Sequence, residues 1–382
     1  MSKRIYADNS ATTPVLPAVF EAMKPYFCEV FGNPSAVYSY GREASKALED
    51  SRRSAAKCLG ALSSEIFFTS GGTESNNWAI ASAALQYGSR GRHIISSAAE
   101  HKAVLKPLER LAAQGFDITL LTPDRTGRVS PSQLSKAVRP DTILVSLMMA
   151  ANVTGTISDI QALAAAAHEK SVLFHTDAVQ AAAYLPINVR RLDVDLLSLS
   201  GHKFHGPKGS GLLFAKIPRL PAPFICGGGQ EKGGRSGTEN VPGIVGLAKA
   251  LAETVKTFDQ TSRLMAMRDQ LIDGILKIPG SFLTGAEKDR LPGHASFVFS
   301  GLKNSIHLVN RLNDHGICAS SGAACSVSSQ EGSYVLKAMG YSEDLTASAL
   351  RLSLTVYNTP EEVKIIADLM PALVREVRNR PE

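Results

Sequence analysis

The sequence has no Cys-x-x-Cys pair, no run of about 18 apolar residues, no internal repeat and no low-complexity tract. Its five cysteines, Cys28, Cys58, Cys226, Cys318 and Cys325, are odd in number and scattered. They suit neither a zinc knuckle nor a full disulfide framework, so reduced thiols in a cytoplasm are expected, and no metal site. The opening Met1-Ser2-Lys3-Arg4-Ile5-Tyr6-Ala7-Asp8 meets charge before any apolar segment, so neither a signal peptide nor a membrane span is expected. A basic stripe is also missing. The 41 Lys+Arg exceed the 35 Asp+Glu by a net +6, but they are dispersed, which favours anionic small molecules or acidic partners over nucleic acid.

What is present is a long chain, 382 residues and 44% hydrophobic, enough for a large core. Short β-rich runs at residues 65–69, 93–96, 117–121, 142–146, 172–176, 196–199 and 211–214 alternate with Ala- and Leu-rich stretches. That rhythm predicts a sheet covered by helices, with seven strands in one large domain. Residues 160–170, with four consecutive alanines, predict a scaffold helix. Residues 217–238 are rich in Pro and Gly and predict a long loop. After it, 241–277 reads as one helix bridging two lobes, and the remainder, with strands near 295–299 and 349–354, as a smaller α+β lobe.

Four constellations carry chemistry. Thr69-Ser70-Gly71-Gly72-Thr73-Glu74-Ser75-Asn76-Asn77 follows a strand and opens a helix, the outline of an anion cradle, although taken alone a plain Gly-Gly turn capped by Thr73 is the better explanation. Asp177 ends one apolar strand and Ser200-Gly201-His202-Lys203 ends the next. In an open α/β sheet those ends converge on one crevice. A lysine without charged neighbours is a candidate Schiff-base nucleophile, and an Asp suits a pyridinium nitrogen. Ala319-Ser320-Ser321-Gly322-Ala323-Ala324-Cys325-Ser326 sets a thiol among small residues, as a reactive loop would. Cys28, Cys58 and Cys318 read as ordinary, inert free cysteines. Arg351, inside a strand pattern, needs a carboxylate partner, either structural or from a substrate.

Together these residues resemble the cysteine desulfurases, pyridoxal-phosphate enzymes of the class V aminotransferase group. The resemblance runs from Asp8-Asn9-Ser10-Ala11-Thr12-Thr13-Pro14 through Gly32-Asn33-Pro34-Ser35, Glu100-His101, His175-Thr176-Asp177-Ala178-Val179-Gln180 and Arg235-Ser236-Gly237-Thr238 to Arg351. It implies a fold type I transferase: a large domain at 16–255 with a mostly parallel seven-stranded sheet, and a small domain formed by 1–15 and 256–382 that carries the Cys325 loop. It further implies Lys203 as the cofactor-bearing lysine, Asp177 on the ring nitrogen and His101 over the ring. Thr73, Ser200 and His202 would hold the phosphate, with Glu74 nearby and Thr238 supplied by a second subunit of a homodimer. Gln180 and Asn152 would lie near the ring hydroxyl. Arg351, Asn33 and Asn152 would bind the substrate, L-cysteine. Cys325 would take its sulfur as a persulfide for an acceptor protein in iron–sulfur or thio-cofactor assembly, with His101 as the base for the thiol.

Three departures from the family pattern stand out. Ala151-Asn152-Val153 replaces the usual Asn-Asn-Glu, Tyr38 stands where His is common, and the sequence lacks the longer C-terminal tail that some members use to dock iron–sulfur scaffolds. They bear on turnover, pocket shape and partner rather than on cofactor binding. The alternatives are a cyst(e)ine C–S lyase, a selenocysteine lyase, a class V aminotransferase, or a less active homologue serving as a binding partner. A nucleophilic thiol at Cys325 favours the desulfurase.

Overall fold

The computed structural model describes residues 4–218, 221–322 and 332–379. The chain enters through β1 (Ile5–Tyr6) and then builds one sheet from β2 (Ile66–Thr69), β3 (His93–Ser97), β4 (Asp117–Leu121), β5 (Thr142–Ser146), β6 (Leu173–Asp177), β7 (Leu196–Ser200) and β8 (Gly211–Ala215). Their order is β2-β8-β7-β6-β5-β3-β4. Every residue of β3, β5, β6, β7 and β8 is buried, as expected for strands covered by helices on both faces, whereas the edge strand β4 is largely open. Only β8 is reversed: it is antiparallel to both β2 and β7, while the remaining pairs are parallel. The carboxyl ends of the other strands therefore open on one edge, where the chemistry-bearing motifs follow.

The second part adds β9 (Ser281–Leu283), β10 (His294–Phe299), β11 (Ile317–Cys318) and β12 (Leu350–Ser353). β10 pairs antiparallel with β9 and β12, and β11 pairs parallel with β1, so the first strand of the chain belongs with the last third of it. The single helix expected over 241–277 is instead two, Val241–Lys256 and Thr261–Leu276, joined by a turn at Phe258–Gln260. Thr257 explains the break. Its N–H and its hydroxyl both return to the Thr254 carbonyl, the latter at 2.8 Å, a side-chain bond that competes with continued helix. The bend lets the first helix pack on Ser39–Leu59 and the second on Pro360–Arg378. Cys58 and Cys318 are half-buried, and Cys28 is exposed at the end of a four-residue helix.

One ion pair pins the glycine-rich segment to the sheet. Arg52 and Glu231, each with a side chain 3% exposed, form two parallel bonds of 2.8 Å. Arg52 also donates to the Ile66 carbonyl, and Glu231 accepts from the Phe68 N–H, so both partners are tied to β2. Removing one partner strands the other charge in the interior. Glu231→Ala is expected to lower unfolding free energy by about 3–5 kcal/mol, measured by urea denaturation; a loss below about 1 kcal/mol, the worth of an exposed pair, would show that the pair is not the anchor.

Candidate active site

The strand ends enclose a cavity of about 620 Å³. Thr73, Glu74, His101, Asn152, Asp177, Gln180, Ser200, His202, Lys203 and Arg351 all line it, joined by Asn76, Lys208 and the Ser10–Thr12 segment. Asn33 and Thr238 do not. Both are exposed, and Asn33 is engaged locally, its side chain accepting from the Ser35 N–H. Cys325 lies outside the described residues.

The floor is built by the turn after β2. Gly71 and not Thr73 stands at the N-cap of the helix Gly72–Tyr87, leaving Thr73 inside the first turn with the helix N–H groups facing the cavity wall. A Cβ on Gly72 would lie 2.6 Å from the Val179 side chain, so glycine is what lets this turn close against the loop after β6. Glu74 accepts from the Ser70 N–H and pairs with Arg235 at 2.8 Å, bracing the turn from outside.

Asp177, at the end of β6, accepts 2.6 Å from the Asn76 amide and 2.9 Å from the Val179 N–H. The Lys203 ammonium, in the turn after β7, donates to the Ser10 and Ala11 carbonyls at 2.5 and 2.9 Å. Gln180 donates to the same Ser10 carbonyl. Arg351 on β12 binds Asp8 at 2.8 Å and the Asn152 carbonyl at 3.0 Å. A structural acid is thus one partner of this guanidinium, yet among the described residues its buried Nε has none; nor have the buried Oδ1 atoms of Asn76 and Asn152. Orphaned polar atoms around one cavity are what a polar ligand would satisfy.

Burial sets the charge states. His202, 3.1 Å from the Thr12 hydroxyl, is pushed down to about 4 by burial and by Lys203 and Lys208, so near neutrality its ring is uncharged. His101 is lowered by burial, against the opposing charge of Asp177. Its Nδ1 accepts the Ala103 N–H and caps the helix Lys102–Ala112, which places the ring proton on Nε2. The resting ring therefore offers a donor and a flat face, not a free lone pair, and this revises the expectation of His101 as a thiol base. Glu100, fully buried, is driven well above the usual carboxyl range by burial and by Asp177; one oxygen accepts from Met148 N–H at 2.6 Å.

Sequence reasoning gave no role to Asn76, Glu100 or Ser10. Asn76 and Glu100 lie inside the quoted motifs, and their burial is the signal that separates them from neighbouring polar residues. Ser10 acts through a main-chain carbonyl, for which no residue type is diagnostic. Among the described residues, no cluster of three or more His, Cys, Asp or Glu is arranged to hold a metal, and no helix is long and apolar enough to cross a membrane.

With this geometry in view, the chain was compared with known proteins. The model of the family described as aminotransferase class-V matches residues 5–366. The cysteine desulfurase IscS of Methanosarcina thermophila is 47% identical over 379 residues, covering 99% of this chain and 94% of that protein. Its counterpart in Dictyoglomus turgidum is 44% identical over 380 residues, covering 99% and 96%. Among solved structures, a NifS-like protein superposes with a TM-score of 0.92 at 37% identity, covering 98% of this chain and 100% of that one. A structure of SspA in complex with cysteine matches with a TM-score of 0.82 at 35% identity, covering 94% and 100%.

The buried imidazoles make stability pH-dependent. His175, between the Ser146 and Ser198 hydroxyls on β6, is lowered to about 3 by burial. As pH falls through about 6.5 the unfolded chain takes up this proton and the native one does not, so stability is full near pH 7 and declines on acidification. For this group the decline is about 1.4 kcal/mol per pH unit. In urea unfolding, His175→Gln should shrink the stability difference between pH 7 and pH 5 by about 2 kcal/mol. An unchanged difference would mean that His175 takes up its proton in the native state over the same range.

Proposed function

The chain belongs to the aminotransferase class-V family, and from that premise we propose that it is a pyridoxal-phosphate-dependent cysteine desulfurase, converting L-cysteine to L-alanine and passing the sulfur to an acceptor through a persulfide on Cys325. The observation that carries this reading is the meeting, in one cavity, of the Lys203 amine, the Asp177 carboxyl and an Arg351 guanidinium with an unpartnered Nε.

The residues present fit the cofactor. Lys203 would bind it covalently, Asp177, held by Asn76, would face the ring nitrogen, and the flat side of His101 would cover the ring. Thr73, Ser200 and the neutral donor His202 suit its phosphate, with Glu74 bracing their turn, while Gln180 and Asn152 suit its hydroxyl. When bound, pyridoxal phosphate supplies an electron sink for the charge left at the substrate Cα.

The chain's own groups account for the rest. Arg351 holds the substrate carboxylate through its free Nε edge, helped by Asn152, whose side-chain oxygen is unpartnered. Asn33, exposed on this chain, completes that grip where the subunits meet. Lys203, once the substrate amine has taken its place, moves the Cα proton between its own Nζ and the substrate. The Cys325 thiolate attacks the substrate sulfur; the C–S bond breaks, the sulfur stays on Cys325, and a proton returned to the carbon leaves alanine. Loss of a His101 base is tolerable because a free thiol of pKa about 8.5 is already a few per cent ionised at neutrality.

We also propose a homodimer. Phe27, Phe31, Tyr38 and Tyr40 are all exposed, with Phe31 and Tyr40 ring to ring at 5.2 Å, an apolar surface suited to a second copy. Thr238 would then reach the neighbouring phosphate from the exposed glycine-rich segment that the Arg52–Glu231 pair anchors. Residues 16–255 form the cofactor domain in this reading, and 1–15 with 256–382 the smaller one. An acceptor in iron–sulfur or thio-cofactor assembly, in a cytoplasm, completes the proposal.

The test is direct. Purified protein supplied with pyridoxal phosphate should absorb at about 400–420 nm, the range of a lysine-linked cofactor, and Lys203→Ala should abolish the band. With L-cysteine and a thiol reductant it should make alanine and sulfide, and Cys325→Ala should retain the band but lose the alanine. Pyruvate and sulfide from the Cys325→Ala protein would establish a C–S lyase instead, and a wild type that takes up no cofactor would end both readings.

A further inference from the structure

We propose that His294 is the positioning residue that locks the lysine side of the cavity to the carboxylate-binding side, an assignment that rests on the desulfurase reading. His294 opens β10, fully buried, and no motif points to it. Its Nε2 lies 3.2 Å from the Val153 carbonyl and its Nδ1 3.1 Å from the Ser10 hydroxyl. A carbonyl can only accept, so the proton is on Nε2. The uncharged ring must then accept at Nδ1, and the Ser10 hydroxyl donates to it. Burial and the nearby charge of Arg351 keep the ring in that uncharged form.

Both of these contacts are one bond from the machinery. The Ser10 carbonyl is the acceptor for Lys203 and Gln180. Val153 follows Asn152, whose carbonyl accepts from Arg351 and whose side-chain oxygen is unpartnered in the cavity. Arg351 itself sits opposite Ser296, two residues along β10 from His294, so the ring and the guanidinium are carried by adjacent strands of one small sheet. One rigid imidazole thus fixes the separation between the groups that bind the substrate amine site and those that bind its carboxylate. Orientation on this scale contributes directly to rate.

The surrounding backbone is shaped around the ring. Gly155 has φ +77°, and a Cβ there would lie 2.7–2.8 Å from the His294 side chain. The Leu291 N–H binds the Gly155 carbonyl, and Arg290 donates 2.6 Å to the Thr154 carbonyl, so the loop after β5 is clasped to the segment that leads into His294. Val153 has an apolar, buried side chain, so its carbonyl is the feature of that residue that His294 engages.

The test compares His294→Leu, which keeps bulk and loses both hydrogen bonds, with His294→Gln, whose amide can donate to one carbonyl and accept one hydroxyl. Each would be purified with pyridoxal phosphate and followed by kcat, by KM for L-cysteine, and by the pH titration of the lysine-linked absorbance band, which needs no turnover. His294→Leu should raise KM and lower kcat, each by about tenfold, the size of one buried hydrogen bond, and should displace the midpoint of the band titration. His294→Gln should recover both within about threefold. If His294→Leu does not fold, Ser10→Ala removes only the hydroxyl contact and should shift the same midpoint in the same direction. Wild-type kinetics and titration in His294→Leu, or equal losses in the Leu and Gln variants, would overturn the assignment. A wild type without the band would instead overturn the desulfurase reading on which it rests, so the two failures are told apart by which protein shows them.

Discussion

The buried acid at the end of β6 constrains the rest of the cavity. A carboxylate in the interior is costly unless hydrogen-bonded, and Asp177 meets that condition through the Asn76 amide and the Val179 N–H. Both donors are consequences of the turn after β2: the helix it starts carries Asn76, and Gly72 allows that helix to close against Val179. The acid in turn helps decide its neighbours' charge. Burial, with the negative charge of Asp177 added to it, drives Glu100 well above the usual carboxyl range.

How far this was legible in the sequence depends on the kind of signal involved. Strands β4 and β5 have the boundaries expected from their apolar runs, because a strand that ends at polar or turn-forming residues announces both its ends. The helix over 241–277 did not announce its interruption: no Gly or Pro stands at the break, and the Thr257 hydroxyl that causes it is indistinguishable in sequence from any helical threonine. Among cavity-lining residues, Lys203, Asp177 and Arg351 were readable because a charged side chain in an apolar strand or at its end stands out by residue type. The acceptors of Lys203 were not, since they are the carbonyls of Ser10 and Ala11. His101 was readable as a site residue but not in its tautomer, which depends on the helix that begins after it.

The departures at Ala151 and Val153 make physical sense together. Val153 is buried with Ala99, Val298, Val335, Leu336, Met339 and Ala349, an apolar cluster in which an ionised acid would find no partner. The valine side chain there makes ordinary packing, while the main chain of the loop is held by the Arg290 and His294 bonds to the Thr154 and Val153 carbonyls. Asn152, between the two substitutions, keeps its place against Arg351.

Arg351 shows why the two parts of the chain must act as one. Its side chain is 3% exposed, a position tolerated only because Asp8, from the first few residues, and Asn152, from the large sheet, each accept from it. Asp8 follows β1, which pairs with β11, so the beginning of the chain is held in the last third of it by a strand of two residues. The next residues, Ser10 and Ala11, cross to Lys203. A segment of four residues therefore supplies the counter-charge for the guanidinium and the resting contacts for the lysine. Any movement of the smaller sheet relative to the larger one would pull on both at once, which couples the position of the guanidinium to that of the lysine amine.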